Sequence, residues 1–312
     1  MTTLADFAGM SDAEAGESLG FEVSRKSSSR GSAAKAFVDS IQALAEGELL
    51  DLHDVKSPTD KEALDRLFEK FPDLIGYTEG YLPRTDAVMA IVSHRLQAEI
   101  SSQNLALANE CCSALVTEAM APRLRRFIRE TLAGDGGVSP LNEDELVAFL
   151  TGPYAQYAKS VSAGLVSRAG TLNEGLVREA LKAEQVTALK TGTEGNADVQ
   201  IVAADVNPPQ TLNVEIKSYG ARERLLRGLQ DCNTPKVGVG FFNRASEFNA
   251  RRTSQLLGTN ASAIYLPEAT YAQLDQTTQA RQNAQGGVFY RPLGRFGADM
   301  KTFSRSGVRA FG

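Results

Sequence analysis

Apolar residues along the chain follow two different periods, and the change between them falls near residue 198. Before that point they recur three and four positions apart, as in Leu64, Leu67 and Phe68, which is the spacing of one face of an α-helix. Beyond it, short apolar runs predict β-strands. These runs lie at 198–205, 211–218, 236–242 and 262–266, and helical segments at 221–231 and 246–257 separate the last three.

Strands that alternate with helices after an initial hairpin predict an α/β (α+β) fold, in which helices flank a mixed central sheet. The part before the hairpin is mainly helical. We therefore divide the chain into an N-terminal arm at 1–35, a helical region at 36–150 and an α/β core at 151–312. The arm is small and polar, which predicts a flexible segment without a packed core.

The composition is that of a soluble globular protein, with 42% hydrophobic and 23% charged residues. No apolar run is long enough to cross a bilayer, and the N-terminus lacks the basic and apolar parts of a secretory signal. We therefore expect a cytoplasmic protein with no membrane partner. Three cysteines and two histidines exclude a disulfide framework and a histidine-rich metal site.

Charge is unevenly distributed along the chain. The net charge is −5, but residues 236–312 contain ten Lys/Arg and four Asp/Glu, a net of +6, so residues 1–235 carry −11. A basic C-terminal quarter is the electrostatic footprint expected of a protein that binds phosphate groups. Chance clustering of charges on a solvated surface gives the same pattern.

The predicted hairpin carries two acids and a lysine. A four-residue turn at 207–210 pairs Val202 with Glu215, and it places Asp198, Glu215 and Lys217 on one face, because alternate residues of a strand share a face. A slip of one residue would reverse this relation. The apolar residues of the two strands then point to the other face, which we expect to be buried: Val199, Ile201, Val214 and Ile216.

These residue types suit metal-assisted hydrolysis of a phosphodiester. Carboxylates of Asp198 and Glu215 and the main-chain carbonyl of Ile216 are oxygen ligands of the kind that Mg²⁺ prefers. A metal ion and the Lys217 ammonium together would activate a water molecule and stabilise negative charge on the phosphate. Lys217 serves as a general base or as an electrostatic clamp, and the sequence leaves both roles open.

The pattern resembles the PD-(D/E)XK nuclease superfamily, most closely its type II restriction endonucleases. That family has an acid at a strand start, a variable gap, and acid-any-lysine on the next strand. Here these positions are Asp198 and Glu215-Ile216-Lys217, with Ala197 where a proline often precedes the first acid. The resemblance covers about residues 160–270 and implies a restriction-endonuclease-like core.

The resemblance also implies a function. It implies a Mg²⁺-dependent deoxyribonuclease that cuts double-stranded DNA at specific sequences, acts as a homodimer and has a cognate DNA methyltransferase as its genetic partner. In many members of that family, an acid on the helix before the hairpin points at the metal, and Glu174 fits this place. The equal alternative is that Glu174 is an ordinary helix residue that faces solvent. The region 36–150 would dimerise, read DNA or do both.

Arginines that follow Lys217 are candidates for DNA contacts, because arginine binds phosphates and reads guanine with two hydrogen bonds. The last of them stand in an aromatic and basic stretch that we interpret as a loop. A solvated surface charge is the alternative for each one. The candidates are Arg222, Arg224, Arg244, Arg251, Arg252, Arg291 and Arg295.

Two other functions fit the same residues. A structure-specific repair or recombination nuclease would share the site but cut only at branches or ends. A non-catalytic DNA-binding protein would carry the acids and the lysine as solvated cross-strand pairs, and it would show no metal-dependent cleavage.

Overall fold

The computed structural model describes the following residues: 36, 39–41, 43–48, 58–70, 85–114, 143–152, 154, 163–190, 197–217 and 222–312. By its internal contacts the chain divides into two compact units, Met1–Val88 with Ser113–Arg168 and Met89–Cys112 with Ala169–Gly312. The predicted arm at 1–35 lies outside the described residues. The predicted boundaries at 35 and 150 stay predictions.

The described part of the N-terminal half is helical. Its helices include α1 (Pro58–Lys70), α2 (Thr85–Leu96), α3 (Glu143–Thr151) and α4 (Ala163–Ala183). Leu64 and Leu67 of α1 are buried, as the helical spacing predicts. Among the described residues, no helix combines the length and the apolar character needed to cross a membrane.

The second unit contains the sheet. Its strands are β1 (Ala188–Lys190), β2 (Val199–Ala203), β3 (Gln210–Lys217), β4 (Lys236–Gly240), β5 (Ile264–Leu266) and β6 (Tyr290–Pro292). Its further helices are α5 (Arg222–Asp231), α6 (Ala250–Leu257), α7 (Glu268–Ala272), α8 (Gln276–Gln279) and α9 (Phe296–Ser306). Within the described chain the six strands form one sheet in sequential order.

The sheet is mixed, as predicted. β1, β2 and β3 pair antiparallel, whereas β3 through β6 pair parallel. The parallel strands β3 to β6 all end at one edge of the sheet, because parallel strands share a direction. The predicted α/β fold is thus confirmed, and this edge becomes the place where residues that follow these strands meet.

Helices cover the two faces of the parallel strands. On one face, Leu225 and Leu229 of α5 belong to the same buried cluster as Ile264 of β5. On the other, Tyr265 packs edge-to-face against Phe296 of α9, with ring centroids 5.1 Å apart. Neighbouring residues of a strand point to opposite faces, so α5 and α9 lie on opposite sides of the sheet.

The hairpin of β2 and β3 differs from its predicted register. Val202 pairs with Thr211 rather than with Glu215, and six residues, 204–209, connect the strands instead of four. The shift in pairing is four residues. Because the period of a strand is two, an even shift leaves every side chain on its predicted face. The apolar side predicted to be buried is buried, at 4% exposure or less, in Val199, Ile201, Val214 and Ile216.

A buried lysine fixes the end of α5. Lys236, the first residue of β4, is 4% exposed, and its ammonium donates hydrogen bonds to the main-chain carbonyls of Leu229 and Cys232. Carbonyls at the C-terminus of a helix have no partner within the helix, and a cation there also complements the helix dipole. Lys236 therefore attaches α5 to the sheet.

Replacing Lys236 with methionine should lower the free energy of unfolding by about 1–3 kcal/mol, because two buried carbonyls lose their donor. Urea denaturation followed by circular dichroism measures this. The matched control is Lys301→Met, which removes a partly exposed ion pair with Glu184 at 3.3 Å and should change stability by about 1 kcal/mol or less. Equal losses in the two variants would contradict this role of Lys236.

Candidate active site

Asp198 and Glu215 meet across the hairpin. Asp198 stands directly before β2, and its main-chain N–H donates to the carbonyl of Val214 at 3.2 Å. Its side chain returns to the same strand, since the Ile216 N–H donates to Asp198 Oδ2 at 2.6 Å. The carboxylate of Asp198 is therefore held by the backbone of β3, next to Glu215.

Lys217 brings its ammonium to both acids. Its Nζ forms an ion pair with Glu215 Oε1 and lies 3.5 Å from Asp198 Oδ2. The side chain of Glu215 is 6% exposed, while those of Asp198 and Lys217 are 24% and 23% exposed. The structure thus brings together three residues that the sequence predicts as a site, with one of them buried and two of them reaching solvent.

Burial and the neighbouring charges shift the pKa values of Glu215 and Lys217. Burial, reinforced by the charge of Asp198, raises the pKa of Glu215 to about 7, although Lys217 opposes the shift. Burial alone would lower the pKa of Lys217, but the carboxylates of Glu215 and Asp198 outweigh it, so the pKa of Lys217 lies above its usual value. Lys217 is therefore a cation in this arrangement.

The donor set fits a hard divalent cation. Asp198 and Glu215 supply carboxylate oxygens, and the Ile216 carbonyl points to the same side of β3 as its N–H, which binds Asp198. No group of three His, Cys, Asp or Glu side chains suited to a metal ion occurs among the residues that the structure describes. Glu174 is half-buried on α4, and its part as a further acid of the site stays a prediction.

Two amides extend the polar face beyond the acids. Gln200 Nε2 donates to Asn213 Oδ1 at 2.9 Å, and Asn213 Nδ2 donates to the carbonyl of Asn233 at 2.8 Å. Both amides alternate with Asp198 and Glu215 along their strands, so they share their face. Neither amide was predicted to belong to the site, although its alternation with the acids was the available signal.

The site lies at the edge where the parallel strands end. Lys217 is the last residue of β3 and is paired with Gly240, the last residue of β4. Beyond Gly240, the Phe241 N–H donates to the Lys217 carbonyl at 3.2 Å. The exposed Arg244 therefore follows a strand that ends beside the acids.

The predicted DNA-contact arginines differ in how far their side chains are exposed to solvent. Four are exposed, namely Arg224, Arg244, Arg251 and Arg295, and Arg252 is half-buried. Arg227, on the same helix as Arg224, is exposed as well. The backbone of Arg222 begins α5, but its side chain lies outside the described part of the chain.

The structure contradicts the prediction that Arg291 contacts DNA. It is 4% exposed and binds Asp299 with two hydrogen bonds, from Nε at 2.6 Å and from an η nitrogen at 3.0 Å. Tyr265 donates to the same carboxylate at 2.9 Å. The stretch predicted as a loop contains β6 and the start of α9, and its aromatic residues Phe289 and Tyr290 are fully buried. Arg291 therefore stabilises the core and is not available to DNA.

Comparison with known proteins gives a distant likeness only. No family model matches the chain, and no curated protein matches it by sequence. A solved structure titled "Restriction endonuclease PspGI-substrate DNA complex" aligns with a TM-score of 0.47 and 16% sequence identity. The alignment covers 73% of this chain and 95% of that chain. The function of this chain must be inferred from its own residues.

Proposed function

We propose that the protein is a sequence-specific, Mg²⁺-dependent endonuclease of double-stranded DNA, of the type II restriction kind. The observation that carries the proposal is the grouping of Asp198, Glu215 and Lys217 at one edge of the sheet. A solvated cross-strand pair would leave its charges exposed. Here one carboxylate is almost fully buried and its pKa is raised, which is typical of functional sites.

Each residue has a distinct part in this proposal. The carboxylates of Asp198 and Glu215 and the carbonyl of Ile216 would hold Mg²⁺, which lowers the pKa of a bound water and offsets charge on the phosphate. The hydrogen bond from Ile216 orients the carboxylate of Asp198. Lys217 supplies a fixed positive charge where negative charge develops on the phosphate oxygens.

The exposed arginines provide a surface for the DNA backbone. Arg224 and Arg227 lie on α5, Arg251 lies on α6, and Arg244 follows β4 at the edge that holds Lys217. None of these four has an ion-pair partner among the described residues. Unpaired cations near a phosphodiester-cleaving site favour binding through the phosphates.

A homodimer suits this activity. One cluster of Asp198, Glu215 and Lys217 can cut one strand, so cutting both strands of a duplex calls for two clusters. A symmetric pair of identical chains supplies them with a two-fold axis that matches a palindromic DNA site.

Digestion of plasmid DNA tests the proposal. Purified protein is incubated with the plasmid in Mg²⁺ or in EDTA, and the fragments are separated and sequenced at their ends. Discrete fragments with a common end sequence, formed only with Mg²⁺, are the expected result. Cleavage confined to branched substrates would instead favour a repair or recombination nuclease, and intact DNA under all conditions would favour a binding protein.

Single arginine substitutions should weaken DNA binding without regard to sequence. The logarithm of the DNA affinity decreases linearly with the logarithm of the salt concentration. For Arg244→Ala and Arg251→Ala we expect this slope to become less steep by about 1 each, because one phosphate contact is lost. Fluorescence anisotropy at several salt concentrations measures the slope. The matched control is Arg305→Ala, an exposed arginine of α9 on the opposite side of the sheet. An equal effect in the control would contradict this surface.

A further inference from the structure

We infer that Gly228 of α5 is a positioning residue for Glu215, and that α5 holds this carboxylate in the arrangement the site requires. The α5 backbone runs directly over Glu215. A Cβ atom built on Gly228 would lie 2.0 Å from Glu215 Oε1, 2.6 Å from its Cδ and 3.0 Å from its Cγ. Only glycine leaves this space to the carboxylate.

Burial limits how far Glu215 can yield. It is 5% exposed, its ammonium partner Lys217 lies on the same strand, and the opposite face of β3 is closed by buried apolar side chains. Protein interiors are close-packed, so a methyl group is accommodated only when a neighbour moves. An alanine at position 228 therefore displaces the carboxylate from its present place beside Asp198 and Lys217.

The helix is also prevented from moving away. Leu225 and Leu229 flank Gly228 on the buried face of α5, and the Lys236 ammonium holds the carbonyls of Leu229 and Cys232. One of these two carbonyls belongs to the residue next to Gly228. These apolar contacts and hydrogen bonds hold α5 against the sheet. When a methyl group is added at position 228, we therefore expect the side chain of Glu215 to move rather than the helix.

This inference rests on the proposed function for its effect on activity, but not for the contact itself. Gly228→Ala should lower kcat for DNA cleavage about 100-fold, because misplacing a reacting group by about 1 Å costs this much. The KM for DNA should be unchanged, since the new methyl group would meet Glu215 and not the arginines of α5 that are proposed to contact DNA. A loss of folded protein would lower the apparent kcat in the same way, so the rate is expressed per active protein, whose fraction is measured by titration with DNA in the absence of Mg²⁺.

The matched control is Gly170→Ala. Gly170 also lies within a helix, α4, and a Cβ atom there would meet none of the described atoms within 4 Å. Alanine is the better helix former, so this variant should keep wild-type cleavage and at least wild-type stability. Gly228→Ala that cleaves DNA as fast as Gly170→Ala would overturn the inference while leaving the proposed function intact.

A double-mutant cycle in urea denaturation tests the contact independently of any activity. Glu215→Ala removes all three atoms that the new methyl group would meet. Gly228→Ala should therefore lower the denaturation midpoint of the wild type but not that of Glu215→Ala. If the wild type does not cut DNA, the proposed function is wrong, but this cycle still tests whether Gly228 leaves the space that Glu215 occupies. Equal midpoint shifts in both backgrounds would refute it.

Discussion

Lys217→Met should reduce DNA cleavage about 10³-fold while DNA binding persists. Methionine keeps the length and apolar stem of the side chain but removes the ammonium, which is the only cation within the cluster among the residues described. Removing one preorganised group that stabilises transition-state charge costs a factor of this size. Cleavage rates with enzyme in excess, and DNA affinity in the absence of Mg²⁺, measure the two effects separately.

The control for this substitution is Lys182→Met. Lys182 lies on α4, its side chain is 78% exposed, and it pairs with Glu179 at 3.5 Å. Loss of that surface pair should leave cleavage unchanged. Circular dichroism must show that Lys217→Met is folded, since the buried Glu215 loses its cationic partner. A folded Lys217→Met protein that still cuts DNA at the wild-type rate would remove the chemical basis of the proposed function.

Asp198→Asn should lower cleavage by about 10²–10³-fold and weaken Mg²⁺ binding. The substitution preserves shape, and the amide oxygen can still accept the hydrogen bond that Ile216 N–H now donates at 2.6 Å. What it removes is one negative charge and a strong oxygen ligand. Isothermal titration with Mg²⁺ measures the affinity, and the rate of plasmid cleavage measures the activity.

Asp205→Asn is the matched control for this second variant. Asp205 is exposed in the connection between β2 and β3, so the same chemical change is made on the same hairpin outside the cluster. It should alter neither Mg²⁺ binding nor cleavage. If Asp198→Asn bound Mg²⁺ as tightly as Asp205→Asn, Asp198 would have to be dropped as a metal ligand.

The sequence predicted correctly which side chains of β2 and β3 share a face, although it predicted the wrong pairing of residues between the two strands. Alternation along a strand decides which side chains share a face, and it is a local property of β2 and β3. The pairing depends on how many residues the turn takes up. Two prolines indicated a turn near residue 208, but no local pattern showed that 204–209 would lie outside both strands.

Other features depend on contacts between distant parts of the chain. Arg291 has the same local character as an exposed arginine, and only the fold of α9 brings Asp299 to it. Gly228 has significance only because α5 packs so closely on β3. The strands β1 and β6 are three residues long, which is too short for alternation to predict a strand. β5 is equally short, but it lies in an apolar run, and that run predicted it.

The meeting of Asp198 and Glu215 has a consequence for how such proteins diverge. The two acids stand at the open end of the hairpin, away from its turn, and seventeen positions separate them along the chain. Insertions or deletions in the turn would change this number without moving either carboxylate. A distant relative can therefore keep the same chemistry with a different interval, and searches that require a fixed interval between the acids would overlook it.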